Sequence, residues 1–109
     1  MPGNTINLAA NAIPVAAAPQ YKPLGFQQFA AGSINTVQSL TVPTGSVWAL
    51  IQAEAQNIRW RDDGVAPTAS IGTLILSAAQ WPMEFWGNLA LAQFIAATAG
   101  AIMNVSYYG

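Results

Sequence analysis

Val47–Ala55 reads VWALIQAEA, with Val47, Ala49, Ile51, Ala53 and Ala55 at every second position and Trp48, Leu50, Gln52 and Glu54 between them. A period of two marks a strand with one face on a core, because successive side chains leave opposite faces of a sheet. The same period closes the chain. In Ala101–Tyr108 (AIMNVSYY), Ala101, Met103, Val105 and Tyr107 alternate with Ile102, Asn104, Ser106 and Tyr108. This second alternation matters because the uncharged run Leu89–Val105 (LALAQFIAATAGAIMNV) otherwise approaches the length of a membrane-spanning helix. Gln93, Thr98 and Asn104 interrupt that run, Gly100 splits it, and no Lys or Arg flanks it to set an orientation. Strands are therefore expected there, and no membrane span.

Working outward from Val47–Ala55, Asn57–Arg61 continues as a strand with Ile58 and Trp60 inward and Arg59 and Arg61 outward, and Asp63-Gly64 marks a turn. Upstream, Gln38–Val42 is a strand closed by Pro43-Thr44-Gly45, and Phe26–Ala30 is the first. Downstream, Gly72–Ser77, Met83–Trp86, Ala90–Ala96 and Ala101–Tyr108 complete about eight short strands; the alanines of Ala90–Ala96 suit a helix equally. The expected fold is all-β, a small β-sandwich of jelly-roll or related type over residues 25–109. Residues 1–24 form a separate zone, uncharged apart from Lys22 and punctuated by Pro2, Pro14, Pro19 and Pro23. Its prolines favour extended backbone, and its apolar Ile6, Leu8, Ile13 and Val15 point to an arm that orders against a neighbouring subunit rather than a solvated tail. It lacks the basic residues and compact apolar core of a secretory signal, so none is expected.

The chain of 109 residues has no histidine, no cysteine, three Lys or Arg and four Asp or Glu. Hydrophobic residues make up 53% and charged ones 6%, against roughly 25% charged in an ordinary soluble domain. The net charge of −1 falls short of the magnitude of about 2–8 that keeps a small free domain soluble, so its apolar surface is expected to be covered by copies of itself or by a partner. Three basic residues cannot neutralise a run of phosphates, which argues against nucleic acid. Zinc is excluded without His or Cys, Asp62-Asp63 lacks the spaced ligands of a calcium loop, and Gly64, Gly72 and Gly87 are isolated turn glycines rather than a phosphate cradle. No cofactor is expected. Glu54 with Asp63 or Glu84 is a formal glycosidase pair that nothing in the spacing singles out; a chain so short of acids, bases and nucleophiles is expected not to be an enzyme.

All charges except Lys22 and Glu84 lie between Glu54 and Asp63. Arg59 and Arg61, two apart on a strand, project from one face, and Glu54 can reach one of them across the bend at Gln56-Asn57. Two readings stand. The group is an edge strand and turn whose charges discourage unwanted pairing, or Arg59, Arg61, Glu54, Asp62 and Asp63 pair between subunits and fix their register. The aromatics pose a similar choice. Trp81-Pro82-Met83-Glu84-Phe85-Trp86 places three large rings in six residues, and both faces of a strand cannot enter one small core, so one of Trp81, Phe85 and Trp86 is expected to be exposed. A layer buried under a loop, a subunit interface built on Trp81 and Trp86, and a stacking platform for a sugar are the alternatives.

The string Val42-Pro43-x-Gly45, Ala49-Leu50-Ile51, Glu54, Ile58-Arg59-Trp60-Arg61-Asp62-Asp63-Gly64-x-x-Pro67-Thr68-Ala69-Ser70-x-Gly72 resembles small structural proteins encoded among the virion genes of tailed bacteriophages and prophages. Their core "VRWRDDG-x-x-PTA-x-x-G" is followed by an aromatic strand, an "F-I" strand and a closing "A-x-x-NVSYY", here Phe85-Trp86, Phe94-Ile95 and Ala101–Tyr108; Ile58 stands where the pattern has valine. The likeness covers roughly Leu40–Tyr108 and leaves the N-terminal segment outside. It implies a non-enzymatic virion component, with a capsid decoration (cement) protein favoured within that class. Such a protein, often a homotrimer, binds the major capsid protein on the assembled shell; it is made in the host bacterial cytoplasm and resides on the capsid surface. A tail or fibre-tip module that recognises a host-surface glycan is the alternative.

Overall fold

The computed structural model describes residues 20–109. Eight strands follow in order: β1 Pro23–Phe29, β2 Gln38–Ser39, β3 Trp48–Glu54, β4 Ile58–Arg61, β5 Thr73–Ile75, β6 Met83–Phe85, β7 Gln93–Ala96 and β8 Ile102–Tyr108. Each expected strand forms, several of them shorter. The first begins three residues earlier than Phe26, so Pro23 and Leu24, assigned from sequence to the arm, belong to a strand. The rest of the expected arm, up to Pro19, lies outside the described residues. Leu89–Val105 holds β7, a turn and the first part of β8, and among the described residues no helix is long and apolar enough to cross a membrane.

Two four-stranded antiparallel sheets result, β1-β8-β3-β6 and β2-β7-β4-β5. The pairing is nested: β1 with β8, β2 with β7, β3 with β6 and β4 with β5, while β3·β8 and β4·β7 join these pairs into sheets. The charged strand β4 therefore lies inside its sheet, between β7 and β5, which removes the edge-strand reading of Arg59 and Arg61.

The inward faces are those read from the period of two. Ala49, Ile51 and Ala53 of β3 and Met103, Val105 and Tyr107 of β8 are buried, and Ile58, Ile75, Phe94 and Ala96 close the core from the second sheet. Small residues sit opposite large ones. Ala49 pairs with both Tyr107 and Phe85, and Ala53 with Met103, so that the rings and the thioether fill space the alanines leave. Trp60 packs inward as expected, its ring edge-on to Phe85 of the other sheet at 5.0 Å. Val47 and Ala55, the ends of the alternating stretch, fall outside β3 and are exposed. Ala55 takes a positive φ of 71°, which turns the chain from one sheet into the other.

Candidate functional site

The charged residues do not converge. Arg59 leans over the second sheet and donates from Nε to the Ala69 carbonyl (3.0 Å) and from Nη1 to the Gly72 carbonyl (2.8 Å). Its guanidinium is thus spent within the chain, fastening the loop between β4 and β5. Gly72 takes φ +140°, and a Cβ there would lie 3.1 Å from the Trp60 carbonyl and 3.2 Å from the Arg59 Cβ. Arg61 donates from Nε and Nη2 to the two carboxylate oxygens of Asp63, at 3.0 and 2.5 Å. Those hydrogen bonds hold the Asp63 carboxyl below its ordinary value and raise Arg61. Both side chains are substantially exposed, so water screens the pair. Asp62 turns toward Gly87, where a Cβ would come 2.6 Å from its Oδ2.

Glu54 stands apart from all of these. It ends β3 on the outer face of the first sheet and accepts a short hydrogen bond from Asn104 Nδ2, not one from an arginine. The proposed pairing across the bend fails because β3 and β4 belong to different sheets. The same separation divides Glu54 from Asp63. Glu84 shares the face of Glu54 but pairs with Leu50, four residues away along β3, roughly 13 Å at the rise of a strand. Two carboxyls that cooperate in glycoside hydrolysis lie about 5–10 Å apart. Among the described residues no group of three or more His, Cys, Asp or Glu is placed to hold a metal.

The outer face of the first sheet carries a better-formed surface, arranged in rows by the strand register. The first row is aromatic. Trp48 stacks on Tyr108 (centroids 4.5 Å apart, planes 18°) and on Trp86 (4.9 Å, 11°), and Tyr21 meets both tryptophans edge-on. Trp86 also donates from Nε1 to Glu84 (3.2 Å). Of the three rings in question, Phe85 is buried, Trp86 is 52% exposed and capped on one side by Trp48, and Trp81 is 76% exposed. The sequence therefore foresaw exposure of one ring where two are exposed.

Beyond the stack come the rows Phe26–Ser106–Leu50 and Gln28–Asn104–Gln52. Phe26, Leu50, Gln52, Pro82, Asn104 and Ser106 enclose a depression of about 370 Å³. An amide chain crosses it and runs on past its rim: Asn104 Nδ2 donates to Gln52 Oε1 (3.2 Å) within the depression and to Glu54 outside its lining, and Gln28 Nε2, also outside the lining, donates to Asn104 Oδ1 (2.8 Å). None of these residues except Glu54 stood out in the sequence. The alternation places them on the outer face, but only the register of three strands brings them side by side. A smaller depression of about 270 Å³, lined by Trp60, Arg61, Asp62, Asp63, Ile71, Gly72 and Thr73, lies at the loop that Arg59 fastens.

Comparison with protein-family models, with curated proteins and with solved structures found no significant match for this chain.

Proposed function

We propose that this protein is a non-enzymatic structural component of a tailed-bacteriophage virion, a capsid decoration protein that binds the major capsid protein on the assembled shell as a homotrimer. In this reading it is made in the host bacterial cytoplasm and ends on the capsid surface, and its sandwich is a jelly roll. The nested pairing of first with last, second with seventh and onward to fourth with fifth supports the jelly-roll winding. The likeness to virion proteins supports the class.

The observation that carries the assembly reading is the state of β5. Sheet edges are normally guarded by charge, proline or brevity. Edge strand β1 opens on Pro23, β6 carries Glu84 and follows Pro82, and β2 is two residues long. Edge strand β5 is itself only three residues long but has neither charge nor proline, and around it Val65, Ile71, Leu74 and Leu76 are 53%, 58%, 41% and 50% exposed. A short edge that pairs on one side only among the described residues, flanked by exposed aliphatic residues, suits a surface that another chain covers. A clamp of this kind stabilises the shell by linkage, since it binds assembled capsomers and not separated ones.

Solution mass by light scattering, without detergent, followed by co-sedimentation with undecorated capsids, tests the reading. A trimer that binds capsids, with both properties lost in Leu74→Lys, is the expected result. A monomer that leaves capsids unbound would sink it.

A further inference from the structure

We infer that the outer face of the first sheet is a binding site for a neutral glycan, centred on the depression between Phe26 and Pro82. This goes beyond the assembly reading and does not depend on it, because the β5 edge belongs to the other sheet.

The backbone comes first. The floor belongs to β8 and β3, the two inner strands of their sheet; at Asn104 and Ser106 β8 is paired on both sides, with β1 and with β3, while β3 is paired on both sides from Ala49 to Ile51. Along Asn104, Ser106 and Leu50 an incoming peptide strand finds no free backbone to pair with, so recognition over that part of the floor falls to side chains. Next is charge. The described residues of this face offer two carboxylates, Glu54 and Glu84, and no arginine or lysine among the residues lining the depression. That excludes phosphate, sulfate and acidic sugars as preferred ligands. Then come the polar groups. The amide chain spends both sides of Asn104, yet among the described residues Gln52 Nε2 and the Ser106 hydroxyl in the depression, and Gln28 Oε1 beside it, have no side-chain partner. Donors and acceptors thus stand side by side at short intervals, the pattern that vicinal hydroxyls, each both donor and acceptor, satisfy. Finally, Phe26 is 64% exposed at the wall, a flat apolar surface for the C–H face of a pyranose. The volume of about 370 Å³ lies at the lower end of the roughly 300–1,000 Å³ found for small-molecule sites, enough for a short saccharide. If several copies sit on one particle, weak individual binding gains avidity.

The test is a glycan array carrying neutral and sialylated oligosaccharides, probed with the labelled full chain, with affinities of the hits measured by titration calorimetry. Binding to neutral glycans is expected, weakened about tenfold by Phe26→Ala and about fivefold by Gln52→Ala, and unchanged by Leu74→Lys. Both affected positions are on the surface, and matched thermal unfolding of the variants checks that they fold. An array with no neutral hit, hits confined to sialylated glycans, or hits indifferent to both Phe26→Ala and Gln52→Ala would each overturn the assignment. Leu74→Lys separates the two proposals: loss of assembly with retained glycan binding is the result expected when both hold, whereas an unsubstituted chain that is monomeric and leaves capsids unbound but still binds neutral glycans removes the assembly reading and leaves this one.

Discussion

Replacing Arg59 by alanine is the most informative perturbation of the folded chain. Its two hydrogen bonds, to Ala69 and Gly72, are made by a charged donor, and bonds of that kind contribute about 1.5–3 kcal/mol each. They do not count equally. Ala69 is exposed and its carbonyl returns to water when the guanidinium is removed, whereas Gly72 is half-buried and beneath it the backbone has no room to rearrange. We therefore expect a net loss of about 2 kcal/mol, most of it from the Gly72 bond and the packing of the arginine stem. For an ordered domain of this size that is a fall in Tm of roughly 8–16 °C. Urea unfolding at one fixed protein concentration measures it, with an unchanged m-value showing that the same surface is exposed. Amide exchange provides the local readout, because the reciprocal Thr68–Ile71 backbone pair (2.9 and 3.2 Å) lies within the fastened loop and should lose protection first. Arg59→Lys should recover only part of the loss, since one ammonium cannot span two carbonyls as a guanidinium fork does. A change in Arg59→Ala of under about 0.5 kcal/mol, the range of an ordinary surface substitution, would refute the assignment of Arg59 as the loop's fastening.

Two further outcomes follow from single positions. Tyr107 is buried and its hydroxyl donates to Gln27 Oε1 at 2.8 Å, and burial pushes its pKa up to about 12. A pKa raised above the unfolded value of about 10 contributes stability that is intact below pH 10 and lost as pH rises toward 12; Tyr107→Phe should cost about 1 kcal/mol at neutral pH and flatten that alkaline loss in a pH series of denaturant melts. Ala55 holds φ 71°, a left-handed conformation that costs an L-residue about 1–2 kcal/mol. Ala55→Gly should therefore raise stability by about 0.5–1 kcal/mol after the added chain entropy of glycine is offset; a lowered Tm would show that the alanine methyl makes a contact worth more than the strain.

The architecture was largely legible from periodicity. Alternation at Val47–Ala55 and Ala101–Tyr108 identified the inward residues of both inner strands of the first sheet, and Trp60 and Ile58 of the second. The candidate site was not. Arg59 and Arg61 were rightly placed on an outer face, but their spacing said nothing of the loop carbonyls and the neighbouring aspartate that occupy them. Trp86 was marked as a ring in search of a place, while Trp48 and Tyr108, which cover one side of it and extend the stack, come from strands far away along the chain.

What the sequence determined by itself is a set of half-buried strands, turns at Pro43-Thr44-Gly45 and Asp63-Gly64, and a shortage of charge. Each of these is a local property, written in the alternation of a few neighbouring residues or in their count. Tertiary structure decided which strands lie side by side and in what register. It thereby decided that Glu54 meets Asn104 rather than an arginine, that β4 is an inner strand and β5 an edge, and that Phe26, Leu50, Gln52 and Asn104 share one depression. Periodicity tells a side chain which face to leave by, but partners as far apart in sequence as Gln27 and Tyr107 are chosen by the packing of the whole core.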